Sequence, residues 1–275
     1  MRRVRLLFIG DVVGSPGRKV VEELLPGLRE SERPDFVVIN GENAAGGAGI
    51  TRKVAESLFA AGADAITLGN HAFRQRDVYE MLDSDPRIVR PSNYPKAAPG
   101  KGHTVVERDG ARLAVANISG MVFLDAARSP FAEADAVLAE LRGRADHVLV
   151  DFHAEATSEK VAMGWYLDGR VTACVGTHTH VPTADARVLP GGTAYVTDVG
   201  MTGARGGVIG VRKEQALERF LTQLPARFDP SDEDPWLNAV VIDADDSGTA
   251  TGIRQLLMPY SPSNAASSGG VNQTM

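Results

Sequence analysis

The segment LLFIGDVVGSPGR, residues 6–18, decides how the start of this chain folds. Its first four residues are apolar and predict a buried strand, and Gly10 and Asp11 follow where that strand ends. Glycines and a proline then mark a turn, after which a helical pattern begins. A strand, a tight turn and a helix form the first half of a βαβ unit. Such a turn either cradles a dinucleotide or carries an acid with another chemical role.

A dinucleotide site needs the pattern G-x-G-x-x-G, because its middle glycine lets the backbone approach a pyrophosphate. In this chain Val12 stands where the middle glycine is required. The carboxylate of Asp11 would also repel a phosphate unless a cation lay between them. The pattern therefore disfavours a dinucleotide and places Asp11 where open α/β sheets bind their ligands. Taken alone, Asp11 fits a turn or a helix-capping role equally well.

Apolar runs bounded by Gly, Asn or Pro recur along the chain, and each predicts a buried strand. These runs are RLLFIG, DFVVIN, DAITLG, RLAVANI, DHVLVDF, TACVGTH, TAYVTD and NAVVIDA. Helical patterns lie between several of them, namely GRKVVEELLPGLRESE, TRKVAESLFAAG with Thr51 as its N-cap, QRDVYEMLDSD and PFAEADAVLAELRGRA. The alternation predicts a layered α/β sandwich with mixed sheets.

Length and composition predict one globular domain over residues 1–260. The chain has 275 residues, 43% of them hydrophobic, and neither a fixed-period repeat nor a Pro- or Ser-rich linker divides its middle. The final stretch, SPSNAASSGGVNQTM at residues 261–275, is small and polar. We expect this stretch to be a disordered tail.

Charge and cysteine content exclude several classes of protein. The net charge of −6 disfavours a stable nucleic-acid complex, which would need clustered lysines and arginines. The single cysteine, Cys174, excludes an internal disulfide and a zinc-thiolate site, and it fits a cytoplasmic protein. No stretch approaches the ~20 apolar residues of a membrane span. A sandwich with exposed strands can self-associate, so a homo-oligomer stays open.

Residues of metal-binding type follow five of the predicted strands. Each residue alone has an ordinary explanation as a turn former, a cap or a buried histidine. Together they are harder to explain in that way, because four of the six histidines fall just past strands, beside acids and amides. The other two, His103 and His147, lack this context. The strand-end residues are Asp11, Glu42, Asn43, Asn70, His71, His153, His178 and His180.

These residue types predict a site for two metal ions. His178 and His180 are two positions apart, so their side chains share a face in an extended segment and can converge on two cations in a loop. Oxygen and nitrogen ligands without sulfur suit Fe, Mn or Zn. We expect Glu42 to bridge the two ions. A metal-bridging hydroxide can then attack a phosphoryl group, and His71, next to Asn70, is placed to act as general acid for the leaving oxygen.

The motifs resemble those of the calcineurin-like metallophosphoesterases, which run D-x-H, G-D, G-N-H-D/E, H and G-H-x-H in this order. GNHAF at residues 69–73 and GTHTH at residues 176–180 are close to two of them. Three positions depart from the pattern, because Val13 replaces a histidine, GEN replaces G-D and Ala72 replaces an acid. Six motifs over residues 4 to about 260 are similar to the YmdB-type bacterial phosphodiesterases: GDVVG, NGENAAGG, LGNH, DFHAEATSEK, GTHTHVPTAD and TDVGMTG.

This resemblance implies a four-layer α/β/β/α sandwich, two iron or manganese ions, and hydrolysis of 2',3'-cyclic nucleotides or related small phosphodiesters. Because Ala72 leaves His71 without a neighbouring acid, the partner of His71 is expected to be the backbone or the substrate. The implied roles are Asp11, Asn43 and His180 on one ion, Asn70, His153 and His178 on the other, Glu42 between them, and His71 as general acid.

Two other functions stay open at this point. One is a regulatory protein that binds a nucleotide or an RNA-processing enzyme, and the other is a phosphomonoesterase or nucleotidase on the same fold. An oxygen-rich site with a spare histidine is open, whereas structural metal sites are usually closed, and this difference favours an enzyme. The run GGAGIT, residues 46–51, forms either a substrate-facing loop or an ordinary turn. Aromatic residues are few and scattered, so the sequence predicts no base-stacking platform and leaves the substrate-binding residues unknown.

Overall fold

The computed structural model describes residues 3–261 of the chain. The strands are β1 (Val4–Ile9), β2 (Phe36–Asn40), β3 (Ala65–Thr67), β4 (Ile88–Val89), β5 (His103–Arg108), β6 (Ala111–Ser119), β7 (His147–His153), β8 (Ala173–Thr177), β9 (Arg187–Val188), β10 (Ala194–Val196), β11 (Gly203–Ala204), β12 (Pro235–Ala244) and β13 (Ala250–Pro259). The helices are α1 (Gly14–Glu32), α2 (Arg52–Ala61), α3 (Val78–Ser84), α4 (Pro130–Leu141), α5 (Thr157–Leu167) and α6 (Lys213–Thr222).

The strands form two mixed sheets. The first has the order β11-β12-β1-β2-β3-β4, with β13 paired along β12, and the second has the order β5-β6-β7-β8-β10-β9. In the first sheet β1 to β4 are parallel, and in the second β6, β7, β8 and β10 are parallel. Parallel strands end at the same edge of a sheet, so each sheet presents several strand ends together.

Buried apolar side chains define the order of the layers. Along β1, Leu6 and Phe8 face one cluster and Leu7 and Ile9 face another, as the period of two in a strand requires. The first cluster joins the two sheets, and the second joins the first sheet to α1, α2 and α3. A third cluster, which includes Met163, joins the second sheet to α4 and α5. The order is helices, sheet, sheet, helices, and the predicted four-layer sandwich is confirmed.

All eight predicted strands and all four predicted helices are present. Thr51 caps α2 as expected, since its hydroxyl accepts a hydrogen bond from the amide of Val54 at 3.3 Å. One boundary was wrong. Helix α1 begins at Gly14, so GSPGR forms the first turn of the helix and not a turn before it. Gly14 has a φ of +62°, a value that glycine adopts without strain.

The sequence patterns missed several elements. Strands β5 and β13 are half-exposed and lack the apolar runs of central strands. Helix α6 buries Ala216 while Leu217, Phe220 and Leu221 are exposed, so it shows no core-facing stripe of the usual kind. The predicted tail lies, except for Ser261, outside the described residues, and the single domain over residues 1–260 stays a prediction.

Candidate metal centre and its cavity

The two sheets bring all eight strand-end residues predicted from the sequence into one cluster. Asp11 follows β1, Glu42 and Asn43 follow β2, and Asn70 and His71 follow β3. From the second sheet, His153 ends β7, while His178 and His180 follow β8. The contacts that link them are His153 Nε2 to Glu42 Oε2 at 3.2 Å, to Asn70 Oδ1 at 2.9 Å and to His178 Nδ1 at 3.1 Å, Asn43 Nδ2 to His180 Nε2 at 3.1 Å, and the His178 amide to Asp11 Oδ2 at 3.1 Å.

Two overlapping groups of these side chains can each hold a metal ion. One group is Glu42, His153 and His178, and the other is Asp11, Glu42 and His180. In each group the candidate ligand atoms lie within 4.8 Å of one another. Glu42 belongs to both groups, which is the arrangement that a bridging carboxylate requires.

The buried polar atoms fit a cation at this place. Asp11 and Glu42 are fully buried, and Oδ1 of Asp11 has no hydrogen-bond partner among the described residues. A buried carboxylate without a partner is costly unless a cation compensates it. Burial raises the pKa of Asp11 to about 6, although His180 and His153 oppose this shift. The ligand atoms are oxygen and nitrogen, a set that suits Fe, Mn or Zn.

The pKa values of the other buried groups show a tightly coupled charge cluster. Burial would raise the pKa of Glu42, but the charge and hydrogen bond of His153, aided by His71, hold it well below its usual range. Burial would lower the pKa of His153, but Glu42 and then Asp11 raise it to about 9. Burial and the charge of His153 lower the pKa of His178 to about 3. The buried carboxylates Asp11 and Glu42 and the buried His153 thus stabilise each other's opposite charges.

A relay behind His153 fixes which ring nitrogen faces the cluster. Thr177 donates its hydroxyl proton to the buried carboxylate of Asp151 at 2.7 Å. The hydroxyl oxygen of Thr177 therefore accepts from Nδ1 of His153, at 2.9 Å. Asp151 is itself held by Asn40 at 2.8 Å and Thr67 at 2.5 Å. Because Nδ1 carries a proton towards Thr177, Nε2 is the nitrogen that would bind a metal ion, once the ion replaces the proton that Glu42 stabilises there.

Asp198 stabilises the loop that carries His178 and His180 through hydrogen bonds to Thr179. Both histidines have positive φ values, 98° and 66°, which are uncommon for residues with a side chain. Between them, Thr179 donates its amide and its hydroxyl to Oδ2 of Asp198, at 3.1 and 2.7 Å. Lys160, also buried, donates to the same oxygen at 2.5 Å. These bonds stabilise a backbone conformation that aims both rings at the cluster.

The second ring nitrogen of each of these histidines also has a partner. Nε2 of His178 lies 3.0 Å from Oε2 of Glu155, and Nδ1 of His180 donates to the backbone carbonyl of Ile209 at 2.8 Å. Such partners orient a metal-binding histidine. Sequence reasoning missed Glu155, Asp198 and the Thr177 relay, although Glu155 and Asp198 lie in two of the quoted motifs, DFHAEATSEK and TDVGMTG.

The partner of His71 corrects an expectation. Nδ1 of His71 lies 2.6 Å from Oδ1 of Asn43, and its amide donates to Oε2 of Glu42 at 3.1 Å. The side chain of Asn43, and not the backbone, therefore contacts Nδ1 of the His71 ring, and a contact of His71 with the substrate stays a prediction. As placed, Nδ2 of Asn43 points towards Glu42 and His180. A half-turn of the amide exchanges its two ends, so that oxygen faces His180 and nitrogen donates to His71.

Gly69 leaves the room that the cluster needs. A Cβ at this position would lie 2.3 Å from Oε2 of Glu42 and 2.4 Å from Nε2 of His153. Both contacts are shorter than any van der Waals separation. A glycine before Asn70 is therefore required by the close approach of these two side chains, which explains the first letter of GNH.

The cluster opens into a cavity of about 550 Å³. One side is polar and carries Glu42, Asn43, His71, Glu155, His178, Thr179 and His180. Gly46, Gly47 and Ala48 of the GGAGIT run line it as well, and a substrate-facing role for that loop stays a prediction. The large apolar residues of the lining, which we call the apolar wall, are Val208, Ile209, Val211, Phe220, Phe228 and Pro230.

The two packed mixed sheets with helices on both outer faces form a metallophosphoesterase-like fold. The chain superimposes on the NAD nucleotidase of Haemophilus influenzae with a TM-score of 0.60, at 12% identity, over 94% of this chain and 56% of that one. A likeness at this identity shows the fold. At the strand ends of this fold lie the two groups of carboxylate and histidine side chains that could each hold a metal ion.

Within this class, the chain belongs to the YmdB-like protein family, whose sequence profile matches residues 7–256. It is 53% identical over 243 residues, 88% of this chain and 92% of the other, to the 2',3'-cyclic-nucleotide 2'-phosphodiesterase of Bacillus subtilis (strain 168). A hypothetical protein of Thermus thermophilus shares 44% identity and a TM-score of 0.88 over 93% of this chain and 99% of that one. A structure described as a novel phosphatase of Mycoplasma pneumoniae shares 33% identity and a TM-score of 0.88 over 97% of both chains.

Across residues 3–261, no helix combines the length and the apolar character that a membrane crossing requires.

Proposed function

We propose that this protein is a metal-dependent phosphodiesterase that hydrolyses 2',3'-cyclic nucleotides. The observation that carries the proposal is the pair of ligand groups that share Glu42 beside His71, at the floor of an open cavity. The name of the Bacillus subtilis relative, at 53% identity, supports the choice of substrate. A cyclic phosphodiester has an anionic phosphoryl group that can approach this floor.

Two ions of iron or manganese, with zinc as the other candidate, would be held by the predicted ligands. When bound, two such ions activate a water molecule and neutralise the charge of the phosphoryl group. Glu42 would contact both ions, as its place in both groups supports. The expected sets are Asp11, Asn43 and His180 for one ion and Asn70, His153 and His178 for the other.

His71 would supply the proton that the leaving oxygen needs. Hydrolysis breaks one phosphorus–oxygen bond of the ring, adds the oxygen of water to phosphorus and places a proton on the released ribose oxygen. His71 lines the cavity with its side chain 26% exposed, while Asn43 holds Nδ1. This arrangement leaves Nε2 for the leaving oxygen. Asn43 thus orients His71, the general acid. In the related G-N-H-D/E motif, the aspartate or glutamate at the position of Ala72 would have this orienting role.

A phosphomonoesterase is the second candidate, since one similar structure is described as a phosphatase and the chemistry of the site serves both reactions. A purely regulatory protein would need neither the shared carboxylate nor the orientation of His71. The cytoplasmic location, the homo-oligomer and the lack of a stable nucleic-acid complex stay predictions.

The test is hydrolysis of 2',3'-cyclic AMP, bis-p-nitrophenyl phosphate and adenosine monophosphate by chelated protein, with and without added Mn²⁺ or Fe²⁺. We expect metal-dependent turnover of the two diesters, and its loss in Glu42→Gln. The control is Glu56→Gln, an exposed glutamate on α2, which should match the wild type. Turnover of the monoester alone would favour the phosphomonoesterase. No turnover with both ions bound would contradict an enzymatic role.

A further inference from the structure

The apolar wall exposes large side chains beside a charged site. Phe220 is 78% exposed, Ile209 is 53% exposed and Phe228 is 47% exposed, so packing within the chain leaves much of their surface in water. Two of the nine phenylalanines, eight positions apart in sequence, converge on this one cavity. Contiguous exposed apolar surface in a cavity marks a place where something else binds.

The wall is joined directly to the candidate metal centre. The carbonyl of Ile209 accepts the hydrogen bond from Nδ1 of His180, whose Nε2 faces the ligand cluster. Ile209 lies in a tight turn closed by mutual backbone hydrogen bonds between Val208 and Val211, at 2.9 and 3.0 Å. The same histidine therefore contacts the cluster on one side and the wall on the other. The wall is therefore within reach of a molecule whose phosphate contacts the cluster.

The wall is also pre-formed. Gln215 on α6 exchanges two hydrogen bonds with Asp229, at 2.7 and 2.8 Å, and the Arg212 amide donates to the Asp229 carbonyl at 3.1 Å. These bonds fix the segment that carries Phe228 against the helix that carries Phe220. A backbone that is fixed before binding needs no ordering when a ligand arrives.

The two sides of the cavity match the two ends of a nucleotide. The polar side suits an anionic phosphodiester, and the apolar wall suits a flat, uncharged ring that stacks on aromatic side chains. The volume of about 550 Å³ falls within the ~300–1,000 Å³ typical of small-molecule sites. We propose that Phe220 and Phe228 bind the nucleobase of the substrate. This inference rests on the proposed function and adds the side chains that select a nucleotide over other phosphodiesters.

The test compares two cyclic phosphodiesters that differ only in the base: 2',3'-cyclic AMP and the 2',3'-cyclic phosphate of methyl riboside. Phe220→Ala and Phe228→Ala should each raise the KM for 2',3'-cyclic AMP about tenfold and leave kcat unchanged, since stacking on an aromatic side chain is lost. The KM for the methyl riboside should stay unchanged. Leu221→Ala is the matched control, because Leu221 neighbours Phe220 on α6, is 83% exposed and does not line the cavity.

Several results would overturn the proposal. One such result is that Phe220→Ala and Phe228→Ala raise the KM values of both substrates equally, and another is that they raise neither KM. A third is that Leu221→Ala has the same effect as Phe220→Ala. A change of mass in gel filtration with unchanged KM would assign the wall to contact between two copies of the chain instead.

Failure of the proposed function is a separate outcome. If the wild type hydrolyses neither diester, the phosphodiesterase assignment falls, and calorimetric binding of adenosine 3'-monophosphate then tests the wall by itself. Binding that weakens about tenfold in Phe220→Ala but not in Leu221→Ala would support the base site. Equal binding by all three proteins, or no binding, would refute it.

Discussion

The two sides of one cavity are built in opposite ways. The polar side adjoins the candidate metal centre, in which Asp11, Glu42 and His153 are fully buried and the histidines are held by hydrogen bonds to partners from other elements. On the apolar wall, Phe220 and Phe228 are exposed and reach the cavity through the helix and loop that carry them.

The difference separates the part of the cavity suited to catalysis from the part suited to substrate binding. Buried charges are tolerated only where partners compensate them at short distance, so the polar side depends on accurate placement. Stacking and apolar contact are not directional to the same degree, so the wall tolerates variation. We therefore expect substitutions on the polar side to affect catalysis, metal binding and stability, and substitutions on the wall to affect substrate affinity alone.

The largest effect is expected at His71. His71→Asn removes the proposed general acid while the buried ligand groups stay intact, so kcat for 2',3'-cyclic AMP should fall about 10²–10⁴-fold. Metal content, measured by atomic emission, should equal that of the wild type. The control is His103→Asn, a histidine in β5 outside the cluster. A kcat within tenfold of the wild type would show that another group protonates the leaving oxygen.

The next largest effect is expected at the buried ion pair of Lys160 and Asp198, which contacts the loop of His178 and His180. Asp198→Asn leaves Lys160 buried without its counter-charge, so the free energy of unfolding in urea should fall by about 3–5 kcal/mol. The matched control is Glu233→Gln, because Lys213 and Glu233 are also 2.5 Å apart but exposed. Its effect should be about 0–1 kcal/mol.

The double variant Lys160→Met, Asp198→Asn sharpens this prediction. It removes both charges, so it should recover part of the lost stability. Equal effects of Asp198→Asn and Glu233→Gln would contradict the view that burial makes this pair important.

A smaller effect is expected in the relay behind His153. Thr177→Val keeps the shape of the side chain but removes the hydroxyl that accepts from Nδ1 of His153. Mn²⁺ affinity, measured by calorimetry on chelated protein, should fall about 10–100-fold. Thr251→Val, which removes a hydroxyl on the exposed face of β13, should leave the affinity unchanged. Unchanged affinity in Thr177→Val would mean that the relay does not orient the ring.

The smallest effect is expected for stability on the wall. Because Phe220 is 78% exposed, Phe220→Ala should change the free energy of unfolding by less than about 0.5 kcal/mol. Urea unfolding of this variant beside Asp198→Asn measures the contrast directly. A loss of several kcal/mol in Phe220→Ala would place this side chain in the packing of the protein and remove the distinction between the two sides.

The strand ends explain why the cluster was predictable from the sequence. Each apolar run that predicted a strand also located the residue after it, and parallel strands bring such residues to one edge. Asp11 and Glu42 could therefore be placed together at the edge of one sheet, and His153 and His178 at the edge of the other, without any knowledge of distant contacts.

The supporting contacts were not predictable, because they join distant parts of the chain. Asp198 and Lys160 are 38 positions apart, and nothing in the motif TDVGMTG indicates that its aspartate holds the histidine loop. Asn43 contacts His71 across 28 positions. Phe220 and Phe228 are scattered aromatic residues in the sequence, and they become a surface only when α6 folds beside the turn at Ile209.

The most direct test of the account is anomalous diffraction from crystals of the protein loaded with Mn²⁺. Two peaks are expected about 3.5–4 Å apart, each within ligand distance of one carboxylate oxygen of Glu42. One peak should lie beside Asp11 and His180, and the other beside His153 and His178. A single peak, or two peaks that do not contact Glu42, would contradict the shared site on which the proposed function depends.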